Sequence, residues 1–220
     1  MSTVNNPVTP RDAASLIVYR TSRNGTEVFM GRRYKKARFQ PDVYVFPGGM
    51  IERCDHIARA GGPLDKTLTA KLAVAGSHRR AQALALAAIR ETFEETGLIV
   101  GVPGDIGPSS NEAWSSYRDL GLAPALAKLG YLGRAITPSA QSIRFHARFF
   151  YVDASEITGD ITPNGELEDL QWVAVDNPKN LSMMKITLFM LETLMDRLGG
   201  AGKKSPFIYF RNGKPRTIYQ

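Results

Sequence analysis

The chain has 220 residues, 43% hydrophobic and 22% charged, the balance of a globular protein long enough to bury a full core without staples. Its net charge of +7 favours anionic partners such as nucleotides, RNA or acidic surfaces, without choosing among them. A single cysteine, Cys54, excludes an internal disulfide and points to a reducing compartment, and no apolar run approaches a membrane span.

Residues 1–12 are polar and contain proline. They lack the apolar core of a signal peptide and read as a short flexible arm on a cytoplasmic protein. Ala13–Tyr19 reads as a first strand, Ser22–Gly25 as a hairpin turn carrying the Asn-Gly signal, and Glu27–Arg32 as a second strand. A basic patch follows over Arg32–Arg38. It is either a solvated loop or a grip on phosphates, with Arg32 or Arg33 making bidentate hydrogen bonds. Val45–Gly49 then looks like a buried strand ending in a turn, where Gly48 and Gly49 let backbone approach a ligand closely.

After His56, Gly61-Gly62-Pro63 makes a turn and Leu64–Ala73 forms a short helix or irregular loop. Ser77 is a plausible N-cap for a long helix from about Arg79. Ala81, Leu84, Ala85, Ala88, Ile89 and Phe93 fall on a face suited to packing against a sheet. His56 and His78 have no suitably spaced second ligand and read as exposed loop histidines. The helix closes on Arg90-Glu91-Thr92-Phe93-Glu94-Glu95-Thr96, with Gly97 as its stop.

Glu91, Glu94 and Glu95 share one face at i, i+3 and i+4. Carboxylates in the last turns of a helix meet the negative end of its dipole, at about 0.3–1 kcal/mol each. A solvated acidic face is the plain explanation. The other is a hard divalent cation, whose oxygen ligands these are, and a glycine turn upstream would complete a site for phosphate and metal.

Leu98–Val102 reads as a short strand. Asn111–Leu129 reads as a helical addition divided by Gly121 and Pro124. Gln141–Val152 alternates clearly, with Ile143, Phe145, Ala147, Phe149 and Tyr151 on one side and Arg144, His146 and Arg148 on the other. That basic row is an exposed sheet face or the wall of an anion pocket. Glu166–Val175 is a further strand and Ser182–Leu198 an amphipathic helix. Gly199–Ser205 fails as a P-loop because Arg197 stands at the required first glycine; it reads as a linker. Pro206–Gln220 is a hairpin about Asn212-Gly213.

The glycine turn and the acidic helix together resemble the Nudix hydrolases. Their box reads Gly-x5-Glu-x7-Arg-Glu-U-x-Glu-Glu-x-Gly-U, where U is a large aliphatic residue. Arg90, Glu91, Glu94, Glu95, Gly97 and Leu98 fit the second half, with Thr92 at an aliphatic position. Gly49–Asp55 is the first half, with Asp55 where the family usually has Glu. Where the family has seven residues between Asp55 and Arg90, this chain has the whole run His56–Ile89, so an insertion of roughly two dozen residues splits the halves. The split, Phe46-Pro47-Gly48-Gly49, Thr137-Pro138 and the strand carrying Arg144, Phe145, Arg148, Phe149 and Phe150 look most like the coenzyme A diphosphatase branch.

The resemblance implies one α/β domain over residues 13–198, a mixed sheet sandwiched between helices. It would carry an insertion at about 56–82, a helical addition at about 111–130, and a linker and hairpin over 199–220. It implies hydrolysis of a diphosphate linked to another group. Mg²⁺ or Mn²⁺ would lie between Glu91, Glu94, Glu95 and the diphosphate, with the Gly49 carbonyl as a further ligand. Glu91 or an acid from Glu166, Glu168 and Asp169 would accept a proton, and Arg90 would orient an acid of the box. Arg32, Arg33, Gly48, Gly49, Arg144 and Arg148 are the substrate-binding candidates. Coenzyme A or an acyl-coenzyme A is the favoured substrate; nucleotide sugars, dinucleoside polyphosphates and oxidised nucleotides are alternatives. A nucleotide- or RNA-binding protein with little catalysis is the other class of reading, motivated by Asp55 and the basic charge. Nucleic acid is the less favoured partner, no membrane is expected, and a homodimer is left open.

Overall fold

A computed structural model describes residues 8–37, 39–178, 181–202 and 204–220. Residues 1–7 of the expected arm, Arg38 of the basic patch and Lys203 of the expected linker lie outside the described residues. In chain order the elements are β1 (Arg11–Ser22), β2 (Gly25–Arg33), β3 (Tyr44–Val45), β4 (Gly48–Met50), α1 (Lys66–Lys71), α2 (His78–Thr96), β5 (Gly101–Pro103), α3 (Glu112–Asp119), β6 (Leu122–Pro124), β7 (Gly130–Ile136), β8 (Phe145–Asp153), β9 (Leu167–Ala174), α4 (Lys185–Leu198), β10 (Pro206–Arg211) and β11 (Lys214–Tyr219).

Nine strands form one mixed sheet, in the order β11-β10-β7-β8-β1-β2-β3, with β4 also paired to β1 and β9 to β2. β1 runs parallel to β8, and β10 parallel to β7. The opposite edge of β1 changes partner along its length. Ala13–Ser15 pair with Gly48–Met50, whereas Tyr19–Ser22 pair with β2. This fork brings the glycine turn into the sheet beneath α2.

Alternation along β1 separates two cores. Leu16 and Val18 pack with Phe29, Phe150 and the Ala/Leu face of α2. Ile17 packs on the other side with Val28, Met30, Leu132, Phe149 and the α4 residues Met190, Leu191 and Leu194. The result is the expected sheet between helices. Each fully buried Leu or Ile contributes about 1.5–3 kcal/mol, so α2 is held far more firmly by its face than by propensity. Ser77 Oγ accepts from the Arg80 amide at 3.2 Å, and Gly97 ends the helix at φ 77°. Among the described residues no helix is long and apolar enough to cross a membrane.

Several expectations need correction. Arg11 and Asp12 belong to β1 and not to a flexible arm. The helical addition is an α-helix only over Glu112–Asp119, with one 3₁₀ turn at Leu126–Lys128. Gly121 turns the chain at φ 67°, and Leu122–Pro124 pairs antiparallel with Gly101–Pro103 as a strand, with Pro124 at its end where no ladder donor is needed. β7 was not anticipated, because Gly130 and Gly133 weaken its strand pattern. The hairpin over 206–220 forms about Asn212-Gly213 as expected, but it extends the main sheet through β7. The row Arg144, His146, Arg148 is not an exposed face: Asp12 and the inserted segment cover it, and Arg148 is fully buried.

Gly97→Ala should lower the thermal midpoint by roughly 4–8 °C, from about 2 kcal/mol of left-handed strain and crowding. A Cβ there would lie 2.4 Å from the Asp160 carbonyl oxygen. Thermal denaturation followed by circular dichroism checks this.

Candidate active site

The last turns of α2 are organised by one guanidinium. Arg90 is 1% exposed, as is Asp55. Arg90 Nε and Nη2 donate to the two Asp55 oxygens at 2.9 and 3.0 Å, a bidentate pair. Nη2 also donates to the Met50 carbonyl at 3.0 Å, and Nη1 to Glu94 Oε2 at 2.7 Å, with Glu91 Oε1 3.0 Å away. Asp55 accepts in turn from the Glu52 amide at 2.8 Å. Burial pulls the Arg90 guanidinium down, but the Asp55 hydrogen bonds and surrounding carboxylates more than reverse this, so it stays charged. One buried side chain thus ties both halves of the interrupted motif together.

Glu91 and Glu95 lie on the neighbouring face. Glu95 is 4% exposed, and its Oε2 accepts from the Gly48 amide at 2.9 Å. Gly49 lies so close to Glu91 that a Cβ at position 49 would be 2.3 Å from Oε1, so a side chain there would have to displace the carboxylate. Burial pushes the Glu91 carboxyl up to about 7, with Glu94 and Glu166 adding to the effect against Arg90. Burial likewise raises Glu95 well above its ordinary range, reinforced by Glu91 and Glu166 and opposed by the Gly48 hydrogen bond and Arg33.

A buried carboxylate, Glu95, and a half-buried one, Glu91, both disfavoured in their charged form, make with Glu94 nearby an oxygen-donor set deficient in positive charge. Among the described residues no three Asp, Glu, His or Cys side chains converge closely enough to hold an ion as they stand. The donor chemistry of Glu91, Glu95 and the Gly48-Gly49 backbone nevertheless fits a hard divalent cation. Glu94 is already held, by Arg90 and by Asn111 Nδ2 at 3.2 Å.

The acids expected near β9 separate clearly. Glu166 is exposed, its charge is felt by both Glu91 and Glu95, and its carbonyl accepts from the Tyr34 amide at 3.4 Å. Glu168 pairs with Arg32 at 3.3 Å, and Asp169 accepts a short hydrogen bond from the Tyr44 hydroxyl. Arg32 also pairs with Asp42 at 2.7 Å and is therefore committed to protein carboxylates. Arg33 lies near Glu95, and its buried Nε has no hydrogen-bond partner among the described residues.

Arg144 and Arg148 are not brought into this cluster. Arg144 donates to the carbonyls of Thr137 and Val8. Arg148 donates to Asp12 and to the carbonyls of Leu72 and His146, which removes it as a direct substrate contact. Sequence reasoning missed Asn111 and Asp12. Asn111 stands as the α3 N-cap, a readable signal, but its reach to Glu94 is not local.

A family model described as NUDIX domain matches residues 9–187. No curated protein matches the chain. Among solved structures it is similar to a NUDIX hydrolase from Alicyclobacillus acidocaldarius, at 25% identity over 84% of this chain and 90% of that one, with a TM-score of 0.63. It is also similar to the NUDIX domain of Shewanella oneidensis NrtR complexed with ADP ribose, at 11% identity, 87% and 90% coverage and a TM-score of 0.51. A mutator MutT protein from Bacillus halodurans gives 13%, 94%, 97% and 0.50 in the same order. The last two likenesses concern the fold alone.

Asp55→Asn should destabilise the protein by about 3 kcal/mol, because it leaves the buried Arg90 without its bidentate partner; urea denaturation checks this. A second outcome follows from Glu91, whose carboxyl titrates at about 7 in the folded chain against an ordinary 4.5. The folded state therefore holds the extra proton between those values, and stability without metal falls as pH rises through about 7. Glu91→Gln removes this dependence. In chelator at pH 8 it should be more stable than wild type by about 1–2 kcal/mol, roughly 2–8 °C in thermal midpoint, with the gain shrinking toward pH 5.

Proposed function

The chain belongs to the NUDIX domain family and is a Nudix pyrophosphohydrolase, and from this premise we propose that it cleaves the diphosphate of coenzyme A or an acyl-coenzyme A with Mg²⁺ or Mn²⁺. The observation that carries the reaction is the pair of carboxylates Glu91 and Glu95, half-buried and buried, packed against Gly48-Gly49, with Arg90 against Glu91. A binder of anions gains nothing from such a cluster. Support for the substrate comes from the split motif, Gly49–Asp55 and Arg90–Leu98, which resembles the coenzyme A diphosphatase branch.

Glu91, Glu95 and the Gly49 carbonyl are the residues that would hold a divalent cation, which polarises phosphorus and lowers the pKa of an attacking water. Arg90 fixes Glu94 and Glu91 from below, so the acids keep their places when charged. Glu166, free of ion pairs among the described residues and beside the two acids, accepts the proton of the water as its oxygen bonds to phosphorus. The bridging P–O bond breaks and the second phosphate leaves. Glu168 is the weaker base candidate because Arg32 already holds it. The unpartnered Nε of Arg33 is suited to a phosphate oxygen. Gly48 and Gly49 leave room for the diphosphate beside the acids. The single thiol suits a cytoplasmic setting.

Glu95→Gln should lower kcat at least about a hundredfold while circular dichroism remains unchanged, and thorough chelation should abolish turnover of the wild type. A panel of diphosphates with products identified by mass tests the substrate. Coenzyme A should yield 3′,5′-ADP and phosphopantetheine. Strong turnover of nucleoside triphosphates with none of coenzyme A overturns the substrate, and tight binding without turnover under any metal overturns the reaction.

A further inference from the structure

The segment between β5 and β6 reaches the acids of α2 at one point. Its helix, α3, is seated on the end of α2. Trp114 and Tyr117 are fully buried, and the Tyr117 ring meets the Phe93 ring edge to face at 5.5 Å between centroids. The Tyr117 hydroxyl accepts from the Val100 amide at 3.1 Å, which ties the same ring to the chain just beyond the end of α2. Phe93 precedes Glu94 in α2, so packing, and not the connecting loop alone, sets how α3 stands to the Glu94 side chain.

Asn111 is the N-cap of α3. Its Oδ1 accepts from the Trp114 amide at 3.1 Å, and its own backbone amide donates to Ser109 Oγ at 3.2 Å. With Oδ1 engaged in the cap, the other end of the planar side-chain amide faces α2, and Nδ2 donates to Glu94 Oε1 at 3.2 Å. The flipped amide would set N–H against N–H at the cap and a carbonyl against a carboxylate at Glu94, so the chemistry of both partners fixes the orientation. The second Glu94 oxygen accepts from Arg90 Nη1 at 2.7 Å. A carboxylate held by one oxygen swings about it; held by both, its plane is fixed. Each oxygen carries two lone pairs, so acceptor capacity is left on both. The Glu94 side chain is 29% exposed against 15% for Glu91, so it has the greater freedom to turn into solvent unless it is held.

A cap needs only an acceptor on a short side chain, and serine or aspartate serves that purpose as well as asparagine. The donor that Asn111 adds is superfluous to the helix. We propose that Asn111 is a positioning residue for the acidic site: through Glu94 it keeps the acids of α2 in the arrangement that receives a divalent cation. This rests on the reading of Glu91 and Glu95 as the cation site. Arg90 holds Glu94 from within α2 and Asn111 holds it from a separate helix, so the added segment contributes directly to the reaction centre.

The test uses the full chain and separates the cap from the donor. Asn111→Ser keeps the cap but does not reach Glu94; Asn111→Ala lacks both. Mn²⁺ binding is followed by the electron paramagnetic resonance of the free ion, and thermal denaturation is run alongside in chelator. The alanine variant should melt several degrees below the wild type and the serine variant close to it. Both should nevertheless bind Mn²⁺ at least about tenfold more weakly than the wild type. Mn²⁺ affinity that follows the melting temperature, kept in the serine variant and lost in the alanine variant, makes Asn111 a cap alone and overturns the proposal. Unchanged affinity in both variants overturns it equally. If alanine prevents folding, the serine variant decides by itself. A wild type that binds no Mn²⁺ sinks the cation reading of Glu91 and Glu95, and the positioning role with it, whereas failure in the variants alone leaves that reading standing.

Discussion

The buried pair between Arg90 and Asp55 is the constraint on which the rest of the site depends. It joins residues 35 positions apart, and neither partner reaches solvent to any useful degree. Removing two charges from water costs several kcal/mol per ion, and bidentate geometry with further hydrogen bonds is what offsets that cost. Here the offset is complete on the arginine side: every terminal nitrogen and Nε has an acceptor. Because the same guanidinium also holds Glu94 and approaches Glu91, the orientation of the acidic face is inherited from this pair.

The sheet supplies the second half of the arrangement. β1 gives up part of its edge to Gly48–Met50, which carries the glycine backbone to Glu95 and leaves no room for a side chain against Glu91. The acids are thereby gathered in a dry place where their own ionisation is disfavoured. Such a penalty is one that positive charge placed beside the acids would relieve.

Much of this was legible in the sequence. Ser77 and Gly97 marked the ends of α2, and the turns at Asn24-Gly25 and Asn212-Gly213 followed from local backbone preference. The motif halves identified Arg90, Glu91, Glu94 and Glu95 because the spacing within one helix is a local property. What escaped was set by distant partners. Asp12 looked like part of a tail because its partners, Arg80 and Arg148, lie 68 and 136 residues away. Period two sorted Arg148 correctly to one face of β8, but could not say that the inserted segment would cover that face. Likewise, Glu166, Glu168 and Asp169 look equivalent as letters; Arg32 and Tyr44 distinguish them only in three dimensions.

The long excursion between Asp55 and Arg90 has its two ends pinned by a pair that does not care what path the chain takes in between. Loop closure grows only slowly with length, about 0.6 kcal/mol per doubling. Closure entropy thus sets little limit on its length; what ties it down is packing, through Leu64, Leu72, Val74 and the α2 face that ends at Ile89. A single buried clamp holds the two ends of the motif in register however the chain between them is routed.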